Sequence, residues 1–141
     1  MFTSMNNPSA TYARIGVETG VAAANPHQLI LMLFDGALLA LATASHALQQ
    51  GQIAERGQAI SRAIDIISNG LKVSLSADDT SGLSDKLAAL YDYMTERLLS
   101  ANLKADKKII AEVSGLLREL RGAWEEIARD PAVVSASRKL A

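Results

Sequence analysis

Cysteine is absent from this 141-residue chain, and aromatic residues are only 4% of it. Without cysteine the chain has no disulfide, no thiolate zinc site and no thiol nucleophile, which fits a reducing cytoplasm. Positive charge is also scarce, since 14 Lys and Arg residues stand against 15 Asp and Glu. A nucleic-acid-binding surface needs a basic stripe, so nucleic acid is not an expected partner. The 49% hydrophobic content instead favours one domain of packed helices.

Motifs for catalysis or metal binding are also missing. His27 and His46 lie about five turns apart on one predicted helix, so they cannot share a metal ion. No Glu-x-x-His pair of the di-iron bundles occurs, and Gly-rich phosphate loops are absent. Ser45 and His46 are adjacent, so their side chains diverge on a helix and cannot act as nucleophile and base. The sequence therefore predicts no enzyme and no cofactor, and a function based on binding.

The most apolar stretch runs from Pro26 to Gln50 and predicts a long first helix. Asn25 is placed to act as N-cap, Pro26 suits the first helical position and Gln28 completes a capping box. Gly51 can close the helix in the left-handed conformation. The spacing of three and four predicts a core stripe of Ile30, Leu33, Phe34, Ala37, Leu41, Ala44 and Leu48.

The same helix carries more apolar residues than one stripe requires. The surplus residues are Leu29, Leu31, Met32, Leu38 and Leu39. The stretch is long enough to span a bilayer, but Asp35 lies inside it and no Lys or Arg cluster flanks it. The first 25 residues also lack the basic start and apolar run of a signal peptide. We therefore expect a helix that is covered by protein and not inserted into a membrane.

Three further helices are predicted after the first. The second runs from Ile53 to about Leu75, with Ile60, Ile64, Ile67 and Leu71 as its core stripe. The third runs from Ser84, a plausible N-cap, to about Leu103. Asp106 caps a fourth helix that reaches about Arg129 and ends before Pro131. The core stripe of this helix is Ile109, Val113, Leu116, Leu120, Ala123 and Ile127, and a second apolar line of Ile110, Leu117 and Trp124 lies beside it.

Similar helix lengths and short connections predict an all-α fold, an antiparallel up-and-down four-helix bundle over residues 26–130. Residues 1–25 form an N-terminal arm that is partly flexible, and residues 131–141 form a flexible C-terminal tail. Two additional lines of residues, largely apolar, lie beside the core stripes of the second and third helices. They are Ala59, Ile66 and Val73, and Leu90, Tyr93 and Arg97.

Such surplus apolar faces are rarely left bare on a soluble monomer. A partner segment that covers them and a permanent homodimer are both compatible with the composition and periodicity. A bundle-borne metal enzyme is a third possibility, for which the sequence supplies no ligand set.

Two motifs resemble those of the FliS family of flagellar export chaperones. Pro26 to Ile30 followed by Met32 to Ala37 is similar to the first-helix signature, and Leu90 to Met94 followed by Arg97 to Asn102 is similar to the third. The resemblance extends from about Tyr12 to Trp124. It implies a cytoplasmic chaperone that binds the disordered C-terminal region of flagellin, prevents premature polymerisation and delivers flagellin to the type III export apparatus. Other flagellar regulators and a weak homodimer remain open as partners.

With this resemblance, the surplus apolar lines become candidates for flagellin binding in the manner of a helix in a groove. The candidate residues are Tyr12, Ile66, Leu71, Val73, Leu90, Tyr93, Arg97 and Asn102. Tyr12 is included because the matching region of the family is associated with partner binding.

A further hypothesis concerns the arm itself. The segment from Tyr12 to Val21 covers the groove in the free protein, and flagellin displaces it. Deletion of Met1 to Ala24 is then expected to increase the binding of a hydrophobic dye by the free chain. Unchanged dye binding would contradict a docked arm.

Overall fold

The structure is a computed structural model that describes residues 25–76 and 78–129. This part of the chain is helical and contains no strand. The predicted arm up to Ala24 and the predicted tail from Pro131 lie outside the described residues. The helices are α1 (Pro26–Gln49), α2 (Ile53–Ile66, continued by a π-helix over Ile67–Lys72), α3 (Leu83–Lys104) and α4 (Lys107–Ala128).

The helices form the predicted antiparallel up-and-down bundle. α1 packs along α2 and α4, and α3 packs along α4 and the second half of α2. Two long-range contacts show the alternating direction. Trp124 near the end of α4 donates its indole N–H to the carbonyl oxygen of His27 at the start of α1, 3.0 Å away. Arg56 at the start of α2 donates to Asn102 at the end of α3.

The local signals at both ends of α1 are confirmed. The side chain of Asn25 accepts from the backbone N–H of Gln28 at 2.8 Å, and the Asn25 N–H donates to the Gln28 side chain at 3.1 Å. This capping box satisfies backbone donors that the first helical turn leaves unpaired. Gly51 follows the helix with φ of +69°, a conformation in which a Cβ would be strained.

Of the two N-caps predicted for α3 and α4, the first is wrong and the second is confirmed. Ser84 is not the N-cap of α3, because Gly82 occupies that position with φ of +84°. The Asp79 carboxylate accepts from the hydroxyl and N–H of Ser81 and from the N–H of Ser84, and these bonds hold the pKa of Asp79 well below its usual range. Asp106 does cap α4, accepting from the N–H of Lys108 at 2.9 Å.

The second helix departs from its predicted pattern. Ala59 and Ile66 were expected on an open face, but they lie in the core, and only Val73 of that line is exposed. The π-helix intervenes between Ile66 and Val73. Its i→i+5 hydrogen bonds place more residues in each turn than an α-helix does. Residues spaced by seven therefore do not stay on one helical face across this segment, and Ile66 is buried while Val73 is exposed.

Most of the surplus apolar surface of α1 is used in packing. Leu29 is buried, while Met32 and Leu38 are half-buried and pack against the core. Leu39 remains 69% exposed. Asp35, which the sequence places inside the apolar run, forms an ion pair with Arg121 of α4, with 2.6 Å between Oδ1 and Nε. α1 has the length and composition of a membrane span, which the core helix of a soluble protein also has. Its buried face packs on α2 and α4.

Candidate functional site

α3 and α4 face each other along a partly exposed, largely apolar surface. The carboxylate of Glu112 on α4 contacts both Tyr93 and Arg97 on α3, which fixes how the two helices face each other. Residues spaced by three or four from these positions lie on the same helical faces. We define the α3–α4 groove as Leu83, Leu87, Leu90, Tyr93 and Arg97 on α3, and Glu112, Leu116, Leu120, Ala123 and Ile127 on α4.

The groove is apolar over most of its length. Leu87, Leu90, Leu116 and Leu120 are half-buried, because one side of each packs against the core. Towards the end where α3 begins and α4 ends, the side chains are more exposed, at 57% for Leu83 and 47% for Ile127. The four half-buried leucines are held in place by their contacts with the core.

One polar cluster connects the two sides of the groove. It consists of Glu112, Tyr93 and Arg97, and we call it the crosspiece. The Tyr93 hydroxyl donates to Glu112, and Arg97 pairs with the same carboxylate at 2.8 Å. The hydrogen bond to Glu112 raises the pKa of Tyr93. The bonds from Tyr93 and then Arg97 lower the pKa of Glu112. At neutral pH the crosspiece is therefore a protonated phenol beside a neutralised ion pair, and it adds little net charge to the groove.

Three of the predicted site residues come together here, while two others lie in the core. Leu90, Tyr93 and Arg97 line the groove. Ile66 is fully buried and Leu71 is 2% exposed, so neither reaches the surface in this conformation. A role for them in flagellin binding stays a prediction that requires the core to open.

The remaining predicted residues lie elsewhere. Val73 is exposed just after the π-helix. Tyr12 lies outside the described residues. Asn102 faces α2, where its side-chain oxygen accepts from Arg56 Nε at 3.1 Å and its backbone oxygen accepts from Arg56 Nη2 at 3.1 Å. This pair joins the start of α2 to the end of α3, which is a structural contact within the bundle.

Sequence reasoning missed the α4 side of the groove. Leu116, Leu120, Ala123 and Ile127 were assigned to the core, but the first two are half-buried and the last two are exposed. The adjacent residues Ile110 and Leu117 are fully buried instead. Because both lines are apolar and helically spaced, their periodicity alone could not choose between them. Glu112 gave no signal in the sequence, because its partners lie on another helix.

Comparison with known proteins places this arrangement in a family. The sequence model of the family described as flagellar protein FliS matches residues 6–131. The chain belongs to the FliS family. It is 49% identical over 116 residues to the flagellar secretion chaperone FliS of Salmonella typhimurium, covering 82% of this chain and 86% of the relative.

Two further relatives of this FliS-family chain carry the same description. Identity is 45% over 123 residues with the flagellar secretion chaperone FliS of Escherichia coli, covering 87% of this chain and 90% of the relative. It is 31% over 123 residues with that of Bacillus subtilis, covering 87% of each chain. The predicted family, the helical bundle and the expectation of a chaperone that is not an enzyme are thereby confirmed. The family supports a role in flagellar protein export.

Proposed function

We propose that this chain is a cytoplasmic chaperone that binds the disordered C-terminal region of flagellin in the α3–α4 groove. Binding prevents premature polymerisation and presents flagellin to the flagellar type III export apparatus. The observation that carries this proposal is a row of apolar side chains on α3 and α4: four half-buried leucines pack against the core, and Leu83 and Ile127 are exposed at one end of the row. Membership of the FliS family supplies the flagellar context.

The energetics favour an extended contact. Ordering a disordered segment costs about 2 to 5 kcal/mol. Covering the exposed half of a Leu or Ile side chain gains about 1 kcal/mol. Several side chains along the groove must therefore be covered at once, which an amphipathic helix with apolar residues at every third or fourth position can do. A short peptide that reaches only Leu83 and Ile127 would not offset its own ordering cost.

Isothermal titration calorimetry tests the proposal directly. The purified chain is titrated with a peptide of about 40 residues from the C-terminus of the flagellin of the same organism, long enough to bury a large area on folding. We expect tight binding with a large negative heat-capacity change, and no binding of a scrambled peptide of the same composition.

The absence of heat at several temperatures, with the helical circular dichroism spectrum intact, would overturn the proposal. The groove would then be more consistent with self-association. Sedimentation at a series of protein concentrations distinguishes a weak self-contact from a permanent homodimer.

A further inference from the structure

Charge is distributed unevenly along the α3–α4 groove. Beyond the crosspiece, Lys104 lies seven residues after Arg97 on α3, and Lys108 lies four residues before Glu112 on α4. These spacings place both lysines on the faces that line the groove. Both side chains are exposed, and neither forms an ion pair with any described residue. Glu112 neutralises Arg97, and Asp106, whose charge also acts on Arg97, offsets one of the two lysines. This end of the groove therefore keeps a smaller net positive charge.

The opposite end carries an excess of acids. Glu119 and Glu126 follow Glu112 by seven and fourteen residues, so they border the groove along the outer edge of α4. Asp85 lies in the first turn of α3. Lys86 is the one cation beside Leu83 and Leu87 on α3 among the described residues. The exposed apolar side chains Leu83 and Ile127 therefore lie at a negative end.

A bound helix has a polarity of its own. Its peptide dipoles give partial positive charge at the N-terminus and partial negative charge at the C-terminus. The two ends of the groove therefore favour the same orientation. The N-terminal end of a bound helix is attracted to the acids near Ile127, and its C-terminal end is attracted to Lys104 and Lys108.

We propose that the flagellin helix in the α3–α4 groove lies parallel to α3, with its C-terminal end at Lys104 and Lys108. This inference rests on the proposed function, because it assumes that the groove holds such a helix. Lys104 and Lys108 act as specificity-determining residues that set direction, while the apolar side chains hold the segment. Acidic side chains in the last turn of the bound helix strengthen the preference.

Spin-label distances measure the orientation. The chain has no cysteine, so Ser100→Cys places a single label near the positive end. Gly122→Cys places one near the other end, outside the groove lining, where an added Cβ meets no atom within 4 Å. The flagellin peptide is labelled at the N-terminal or the C-terminal end of its groove-binding helix. We expect a label at the C-terminal end of the peptide helix to be closer to position 100 than to position 122, and a label at its N-terminal end to show the reverse.

Charge reversal tests the role of the lysines. A charge near a helix end changes affinity by about two- to fivefold. The double variant Lys104→Glu, Lys108→Glu is therefore expected to weaken binding about tenfold at low salt, and less at high salt. The matched control is Lys107→Glu, Arg118→Glu, with the same change in net charge. Arg118 lies three residues before Arg121, which pairs with Asp35 of α1, so this side of α4 faces away from the groove.

The outcomes separate this inference from the proposed function. The reverse distance pattern, or equal weakening by both double variants, overturns the orientation while binding itself stands. If the unchanged chain binds no peptide, the proposed function fails first. Circular dichroism and a thermal unfolding curve for each variant establish that the bundle is intact.

Discussion

Replacing Ile66 with alanine is expected to lower the free energy of unfolding by about 2 to 5 kcal/mol. Ile66 is fully buried in the cluster that joins α2 to the other helices. Removing three of its carbon atoms leaves a cavity that the close-packed neighbours can fill only in part. Urea denaturation followed by circular dichroism measures the change.

Val73→Ala is the matched control for this substitution. Val73 belongs to the same seven-residue line as Ile66 but is 61% exposed. We expect its free energy of unfolding to change by no more than about 0.5 kcal/mol. Equal destabilisation by the two variants would contradict the finding that the π-helix places Ile66 in the core and Val73 at the surface. Flagellin binding by Ile66→Ala, measured where the variant is fully folded, tests the separate prediction that Ile66 takes part in binding.

The sequence predicted the helices well because their ends are encoded locally. Asn25, Pro26 and Gln28 specify the start of α1, and Asp106 specifies that of α4, through bonds that span three residues or fewer. Such signals depend little on the rest of the fold. The antiparallel order followed from helix length and short connections. Ser84 was wrong as a cap because the Asp79 carboxylate, five residues earlier in the loop, binds its N–H.

Which side of each helix faces the core was harder to predict. On α4, the lines through Leu116 and Leu117 are equally apolar, and the positions of α1 and α3 decide which is buried. On α2, no local pattern was recognised that predicts the π-helix over Ile67–Lys72. On α3, the predicted residues Leu90, Tyr93 and Arg97 lie together on the groove, whereas the α4 residues of the groove had been assigned to the core. A binding role for either set stays a prediction. Long-range contacts such as Glu112 with Arg97 supply the missing information.

The double variant Leu83→Asp, Ile127→Asp is expected to weaken binding of the flagellin peptide at least about thirtyfold, or about 2 kcal/mol. Each substitution removes an apolar contact worth about 1 kcal/mol. Each also introduces a carboxylate that loses water when the peptide covers it, at a further cost of about 1 to 3 kcal/mol if it stays unpaired. Calorimetry with the same peptide measures the loss.

Both positions are exposed in the free chain, so the aspartates remain hydrated there and the bundle is expected to fold. The control Leu39→Asp, Leu103→Asp makes the same chemical change at two exposed leucines outside the groove, on α1 and at the end of α3. It is expected to bind within about twofold of the unchanged chain, because surface positions away from a contact have small effects. Equal weakening by both double variants would show that the flagellin segment extends beyond the groove. If only the control weakened binding, the site would lie elsewhere on the bundle.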